Sequence, residues 1–244
     1  MEITGIILRY SDYGDSSRIY TVFTREEGKI SLIARGVKSM KSRLNGALQP
    51  FTLAQLSTTR GKGKLQTITN ATVLNPYYDL RLELERLNTA CDFAKIIAHS
   101  TEENMPHFAV HDLLLVALDL LCQGDDAELV SIYFESNILS LFGYAPILTH
   151  CVACGVTGSS FLNETWGYFR TDDGGALCSD CFSFLEPEAQ YDYKRVAIAA
   201  LQIIYHVTNG NYEKIKQQNI SVALQNDVKN FLKAFIRQNL SERL

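Results

Sequence analysis

For fifty-one residues the sequence has no carboxylate: after Glu27 the next acid is Asp79. Residues 28–78 hold Lys29, Arg35, Lys38, Lys41, Arg43, Arg60, Lys62 and Lys64, so a formal net charge of -4 conceals a locally basic stretch. Other absences remove whole classes of function. No apolar run approaches the roughly eighteen residues of a membrane helix, and the start, with Glu2 and Arg9 around a short apolar run, is unlike a secretory leader. A cytoplasmic protein with no membrane partner is expected. Cysteine is scarce, six in 244 residues, which is too few for a secreted disulfide scaffold. No G-x-x-x-x-G-K-[ST] loop is present to cradle a triphosphate, since "RGKGK" has the wrong spacing, and no G-x-S-x-G elbow presents a nucleophile. The acidic pairs at 102–103, 125–126 and 172–173 fall in polar connectors, where solvation accounts for them. The chain reads as a binding protein rather than an enzyme, with no internal repeat or low-complexity tract.

Charge is distributed unevenly along the chain. Residues 1–78 carry 11 bases against 5 acids, 79–193 carry 4 against 19, and 194–244 carry 8 against 3. Two basic ends and an acidic middle give separate surfaces to separate partners, and the basic first third has the electrostatic footprint of a polyanion-binding module. That third also reads as five short strands, "EITGIILRY", "SRIYTVFT", "KISLIARG", "ALQPFTLAQLSTT" and "KLQTITNATVL", rich in Ile, Val, Thr and Tyr and separated by turn signals. Five such strands suggest an OB-fold β-barrel, which binds oligonucleotides on one face and its loops. The barrel places "RGVKSMKSR" between strands three and four and "RGKGK" between four and five. Arg35, Lys38, Lys41, Arg43, Arg60, Lys62 and Lys64 are therefore the expected phosphate contacts of a nucleic-acid-binding surface, which the family resemblance given below turns into DNA binding. Tyr10, Tyr13, Tyr20 and Phe51 are each read as barrel core in preference to base-stacking groups.

Beyond residue 79 the period changes. Leu80, Leu84, Leu87, Cys91, Ala94, Ile97 and Ala98 recur at three- and four-residue spacing, an amphipathic helix over 80–101. Further helices are predicted over 107–122, 127–143, 192–208 and 222–240. The expected class is α+β and multidomain: a barrel over 1–78, a C-terminal helical bundle in two parts, 79–148 and 187–244, and a Gly- and Asp-rich insertion at 149–186.

The insertion holds the sharpest motif. Cys151 and Cys154 form one C-x2-C pair and Cys178 and Cys181 another, with 23 residues between them. Two such knuckles supply four thiolates for a tetrahedral ion, at a separation just above the usual ~15–20 residues. Four sulfur ligands leave no position for water or substrate, so one structural Zn2+ per chain is expected. Gly155, Gly174 and Gly175 are read as the positive-φ positions that tight metal loops require. A zinc deaminase would need H-x-E upstream and Pro before its second knuckle; Leu177 stands there, and H-x-E occurs nowhere. Cys91 and Cys122 read as small core hydrophobes. His107 and His111 have the i, i+4 spacing of metal ligands, but Phe108 occupies the place of the glutamate in H-E-x-x-H. His150 adjoins the first knuckle and finds no vacancy among four cysteines.

The order "RGVKSMKSRLNGALQPF", "YFESNILSLFGYAPIL" running into "CVACG", and "GGALCSDC" resembles the RecO recombination mediator family of bacteria over essentially the whole chain. The resemblance implies an N-terminal OB-fold, a helical domain and an inserted zinc-binding segment. It also implies a task within the RecFOR pathway of DNA repair and recombination: binding single- and double-stranded DNA, annealing complementary strands, engaging single-stranded DNA-binding protein, and working with RecR to load the RecA recombinase. A bacterial, nucleoid-associated location follows from that task. Single-stranded DNA-binding protein ends in a short acidic tail with terminal hydrophobic residues. Lys229, Lys233 and Arg237 recur every four residues beside Phe231, Leu232, Phe235 and Ile236, a basic-rimmed apolar groove suited to that tail. Two other readings stay open: an RNA-binding OB-fold protein with a structural zinc ribbon, and a zinc-dependent hydrolase, which four thiolate ligands disfavour.

Overall fold

The computed structural model describes residues 1–60, 65–157, 161 and 163–240. It divides into two compact units, Met1–Ala127 and Glu128–Leu244.

In the first unit, β1 (Glu2–Tyr13), β2 (Ser17–Thr24), β3 (Gly28–Ala34), β4 (Leu53–Arg60) and β5 (Gln66–Asn75) close into a barrel of order β1-β2-β3-β5-β4. Alternation turns Ile3, Ile7, Tyr20, Val22, Ile30, Leu32, Ala54, Leu56 and Ile68 into one buried cluster. β1 serves both neighbours: Tyr10 pairs with Tyr20 on β2, and Glu2 with Ser57 on β4. A register shift between Ile7 and Arg9 bends β1 away from a flat edge. The parallel pairing of Leu32 with Gln66 and Ile33 with Thr67 closes the barrel.

The fourth predicted strand begins later than its hydrophobic pattern suggests. Residues 47–52 lie in turns and bends, because the segment from Gly36 onward packs on the barrel by sending Val37 and Leu48 into the core cluster. Phe51 adopts a left-handed φ of 62°, uncommon for a side chain of this size, while its ring is buried and its N–H donates to the Ile7 carbonyl at 2.7 Å.

After a 3-10 turn at Tyr78–Arg81 come α1 (Leu84–Ser100) and α2 (Phe108–Gln123). The α1 register differs from the predicted one: Leu80 is buried in the turn, Leu84 is exposed, and the buried face is Ala90, Phe93, Ala94, Ile97 and Ala98. Lys29, on β3, donates to the carbonyls of Ala98 and Thr101. It places a cation where the α1 dipole ends. Gly28, just before it, has φ 69°, and a Cβ there would stand 1.8 Å from the Met105 carbonyl oxygen.

The second unit is less purely helical than its sequence pattern predicts. α3 (Ala127–Leu141) leads to β6 (Trp166–Arg170) and β7 (Gly175–Leu177), then to two short helices, α4 (Ser179–Ser183) and α5 (Pro187–Gln190). β8 (Lys194–Ala197), α6 (Ile198–Thr208), α7 (Tyr212–Lys216) and α8 (Val222–Leu240) follow. The helix predicted from residue 192 starts at Ile198, because residues 194–197 pair with the outer edge of β6 in a sheet of order β7-β6-β8. Phe169 of β6 packs edge-on to Phe231 of α8 at 4.7 Å, and Phe231 lies 4.7 Å from Phe235. Among the described residues no helix is long and apolar enough to cross a membrane.

Candidate nucleic-acid interface and metal centre

The basic segment after β3 is a supported platform. Its buried Val37 and Leu48 belong to the barrel core, and Lys38 ties it to the β1–β2 hairpin. The Lys38 backbone N–H donates to Ser16, its ammonium donates to the Gly14 carbonyl at 3.1 Å, and the same group meets Asp12 at 3.0 Å. Asp12 also accepts from Arg18 at 3.2 Å, and Arg18 stacks over Tyr10, 4.2 Å from the ring centre. These two cations, Lys38 foremost, hold the Asp12 carboxyl below its usual range.

Lys38 is thus a strut of the platform, sharing the Asp12 carboxylate with Arg18. Arg35, Lys41 and Arg43 are exposed and have no ion pair among the described residues. Met40, between them, is the most exposed large hydrophobic side chain of that set, at 101%. Arg60 is exposed at the end of β4, whereas Lys62 and Lys64 lie outside the described residues. The aromatic residues divide: Tyr20 and Phe51 are buried, but Tyr10 and Tyr13 are 39% and 54% exposed, contrary to a core reading. Both lie where β1 runs on toward its hairpin with β2, so alternation alone does not place them inside.

The four cysteines converge. The Sγ atoms of Cys151, Cys154, Cys178 and Cys181 all lie within 4.8 Å of one another, with Cys154 and Cys178 at 3.9 Å. A tetrahedral ion with metal–sulfur bonds of about 2.3 Å separates its sulfurs by about 3.8 Å, so this cluster could hold a metal ion. The first knuckle is closed by Gly155 donating to the Cys151 carbonyl at 2.9 Å and Cys151 to that of Val156 at 3.1 Å. Cys178 caps the N-terminus of α4, its sulfur accepting from the Cys181 N–H at 3.4 Å. Cys151 accepts from the Cys178 N–H at 3.3 Å.

Burial works to raise the Cys151 thiol, yet the backbone N–H groups of Cys154, Cys178 and Ala153 outweigh it together and bring its pKa to about 7. Burial, with hydrogen bonding among the thiols, pushes Cys178 and Cys181 up. Four sulfurs this close cannot all be thiolates without a cation to share.

Gly175 serves this centre differently from the sequence expectation. Gly155 and Gly174 have positive φ, 71° and 72°, but Gly175 is required by space: a Cβ would stand 2.7 Å from the Ile147 carbonyl oxygen and from Val152. β7 carries Cys178 directly after it and is held on its free edge by the segment around Ile147 and Val152, where Val152 donates to the Ala176 carbonyl at 3.1 Å.

Among the described residues His107 and His111 join no cluster that could hold a metal ion. His111 is buried beside Phe23, with Nδ1 3.5 Å from Asp112. Cys91 and Cys122 are half-buried. Burial raises both thiols.

The α8 stripe is split by the structure. Lys229 pairs with Glu128, leaving Lys233 and Arg237 exposed. Phe231, Leu232 and Phe235 are buried in the core of the unit, so they form no apolar groove; an amphipathic helix has spent that face on its own sheet. Instead Lys233 and Arg237 line a recess of about 400 Å³ with Phe169, Arg170, Lys194 and Asn230, and one acid, Asp192, at its wall. Arg170 and Lys194 were not singled out by spacing because they arrive from β6 and β8, distant in sequence from α8.

Comparison with known proteins agrees with this architecture. Residues 1–77 match the family model described as recombination protein O N terminal, and residues 81–244 match recombination protein O C terminal. A DNA repair protein RecO of Pelotomaculum thermopropionicum is 30% identical over 98% of this chain and 89% of its own length. One of Desulforamulus reducens is 27% identical over 100% and 91%. One of Exiguobacterium is 33% identical over 73% and 69%. Barrel, helices and cysteine cluster fall in the order of those two models, and the chain belongs to the RecO family of DNA repair proteins.

Proposed function

We propose that this protein is a recombination mediator that acts by binding, without chemical turnover. The observation that carries the reading is the exposure of Arg35, Lys41 and Arg43, without an ion pair among the described residues, on a platform anchored in the barrel core. Residues 1–78 are the nucleic-acid-binding domain in this reading, with Arg60, Lys62 and Lys64 extending the contact. The guanidinium and ammonium groups neutralise phosphates without sequence preference, on single strands and duplex alike. Two complementary strands repel through their phosphates. A surface that screens that charge and leaves base edges free lowers the barrier to their pairing, which is annealing.

Cys151, Cys154, Cys178 and Cys181 hold one Zn2+, whose role is to fold the insertion of residues 149–186; a closed sulfur shell supplies no reactive position. The recess with Lys233, Arg237, Arg170 and Lys194 takes the acidic tail of single-stranded DNA-binding protein, electrostatically more than by apolar burial. RecR, and through it RecA loading, engage the acidic middle of the chain, a poor surface for DNA.

The test mixes complementary oligonucleotides, each coated with single-stranded DNA-binding protein, and follows duplex formation without ATP. Acceleration by this protein supports a mediator. Binding to DNA without acceleration removes the mediator reading, and preference for RNA strands moves the RNA-binding alternative forward.

A further inference from the structure

Among the described residues nothing packs on Met40 to account for its placement. Single exposed apolar residues are ordinary on protein surfaces, but this one is exposed at 101% in the middle of "KSMKSR", with Lys38 two residues before it and Lys41 and Arg43 after. Its backbone is restrained: Ser39 donates to Gly36 at 3.2 Å and Ser42 to Ser39 at 2.9 Å, successive turns that lift residue 40 clear of the barrel. Val37 on one side and Leu48 on the other anchor the segment. A long, unbranched, polarizable side chain therefore stands on a hydrogen-bonded, core-anchored loop whose neighbours in sequence are cations.

Cations set phosphates; an apolar side chain beside them meets bases. Proteins that bend or open nucleic acids use Met, Leu, Ile or Phe in this way, entering between adjacent bases and separating them. Exposed Tyr13, next to the Asp12 and Gly14 groups that hold Lys38, adds a ring at the same hairpin.

We propose that Met40 is an inserting residue: it enters between two adjacent bases of a DNA strand held by Arg35, Lys41 and Arg43 and unstacks that step. The inference rests on the phosphate-platform reading. Its consequence for annealing is direct, since two bases no longer stacked on each other are free to reorient toward an incoming strand.

A single-stranded oligonucleotide carrying 2-aminopurine reports unstacking as a rise in fluorescence, and anisotropy of a labelled copy reports affinity. Full-length protein, Met40→Ala, Met40→Leu and the triple variant Arg35→Ala, Lys41→Ala, Arg43→Ala are compared at several salt concentrations. With the Met40 side chain wholly exposed, its replacement leaves the melting temperature unchanged. Expected is a rise of about twofold or more with wild type and Met40→Leu, lost in Met40→Ala, whose affinity stays within about threefold and whose salt slope is unchanged.

Equal fluorescence with wild type and Met40→Ala overturns the proposal, as does binding by wild type with no rise. An unchanged affinity and salt slope in the triple variant overturns the platform reading itself, and the insertion with it. Met40-dependent binding to phosphatidylglycerol vesicles, with no Met40-dependent fluorescence, replaces insertion by a membrane contact.

Discussion

Single residues carry two sharp consequences. Gly28 combines a φ of 69° with a Met105 carbonyl 1.8 Å from where its Cβ would be, so Gly28→Ala must move either β3 or the α1–α2 connection. We expect a cost above about 2 kcal/mol, read as a fall of several degrees in melting temperature. His111 is the second. Burial holds its pKa below the ordinary 6.5, partly offset by Asp112, so the unfolded chain takes up a proton before the folded one does. Stability from this residue is complete above pH 6.5 and is lost as pH falls through the lower folded-state value. His111→Gln flattens the dependence of denaturation midpoint on pH below about 6.5; an unchanged slope assigns that dependence to another group.

At the scale of elements, the platform and the metal loops make separate predictions. Val37 is wholly buried and touches no DNA in this reading. Val37→Ala, costing about 1–3 kcal/mol, weakens binding by loosening the support of Arg35, Lys41 and Arg43, and Lys38→Ala does the same by releasing the hairpin. In the metal loops, Gly174→Asn is tolerated because only φ is at stake and no atom lies within 4 Å of its Cβ. Gly175→Ala displaces Ile147 or Val152 beside β7 and releases metal at lower chelator concentration, measured with a colorimetric zinc indicator.

The contrast shows what sequence conveys. Five strands and the Cys pairs were legible because alternation and C-x2-C spacing are local signals. The short strand Lys194–Ala197 was not, because its partner β6 lies some two dozen residues upstream and its four residues show no period of their own. Likewise the recess around Lys233 and Arg237 joins three elements, and no spacing rule reaches across them. The α8 groove was misread for a related reason: periodicity identifies an apolar face but not what covers it.

For the whole molecule, the segregation of charge predicts salt dependence. Removing Arg35, Lys41 and Arg43 lowers the slope of log affinity against log salt on single strands by about 2, with affinity falling across all sequences tested. The single Trp, Trp166, stands under Arg195 at 4.0 Å in the second unit and reports that unit alone. Chelating the Zn2+ proposed for the cysteine cluster is expected to shift its emission and lower the temperature at which that emission melts; no change separates the cysteine cluster from the unit's stability. The barrel's closure has a consequence in time. β1 pairs on one side with β2, made almost at once, and on the other with β4, whose Leu53 emerges twenty-nine residues after Thr24. At about 5–20 residues per second, the nascent sheet waits a few seconds on the ribosome with one edge bare, so conditions that slow translation between residues 24 and 60 lengthen the interval in which this protein can aggregate.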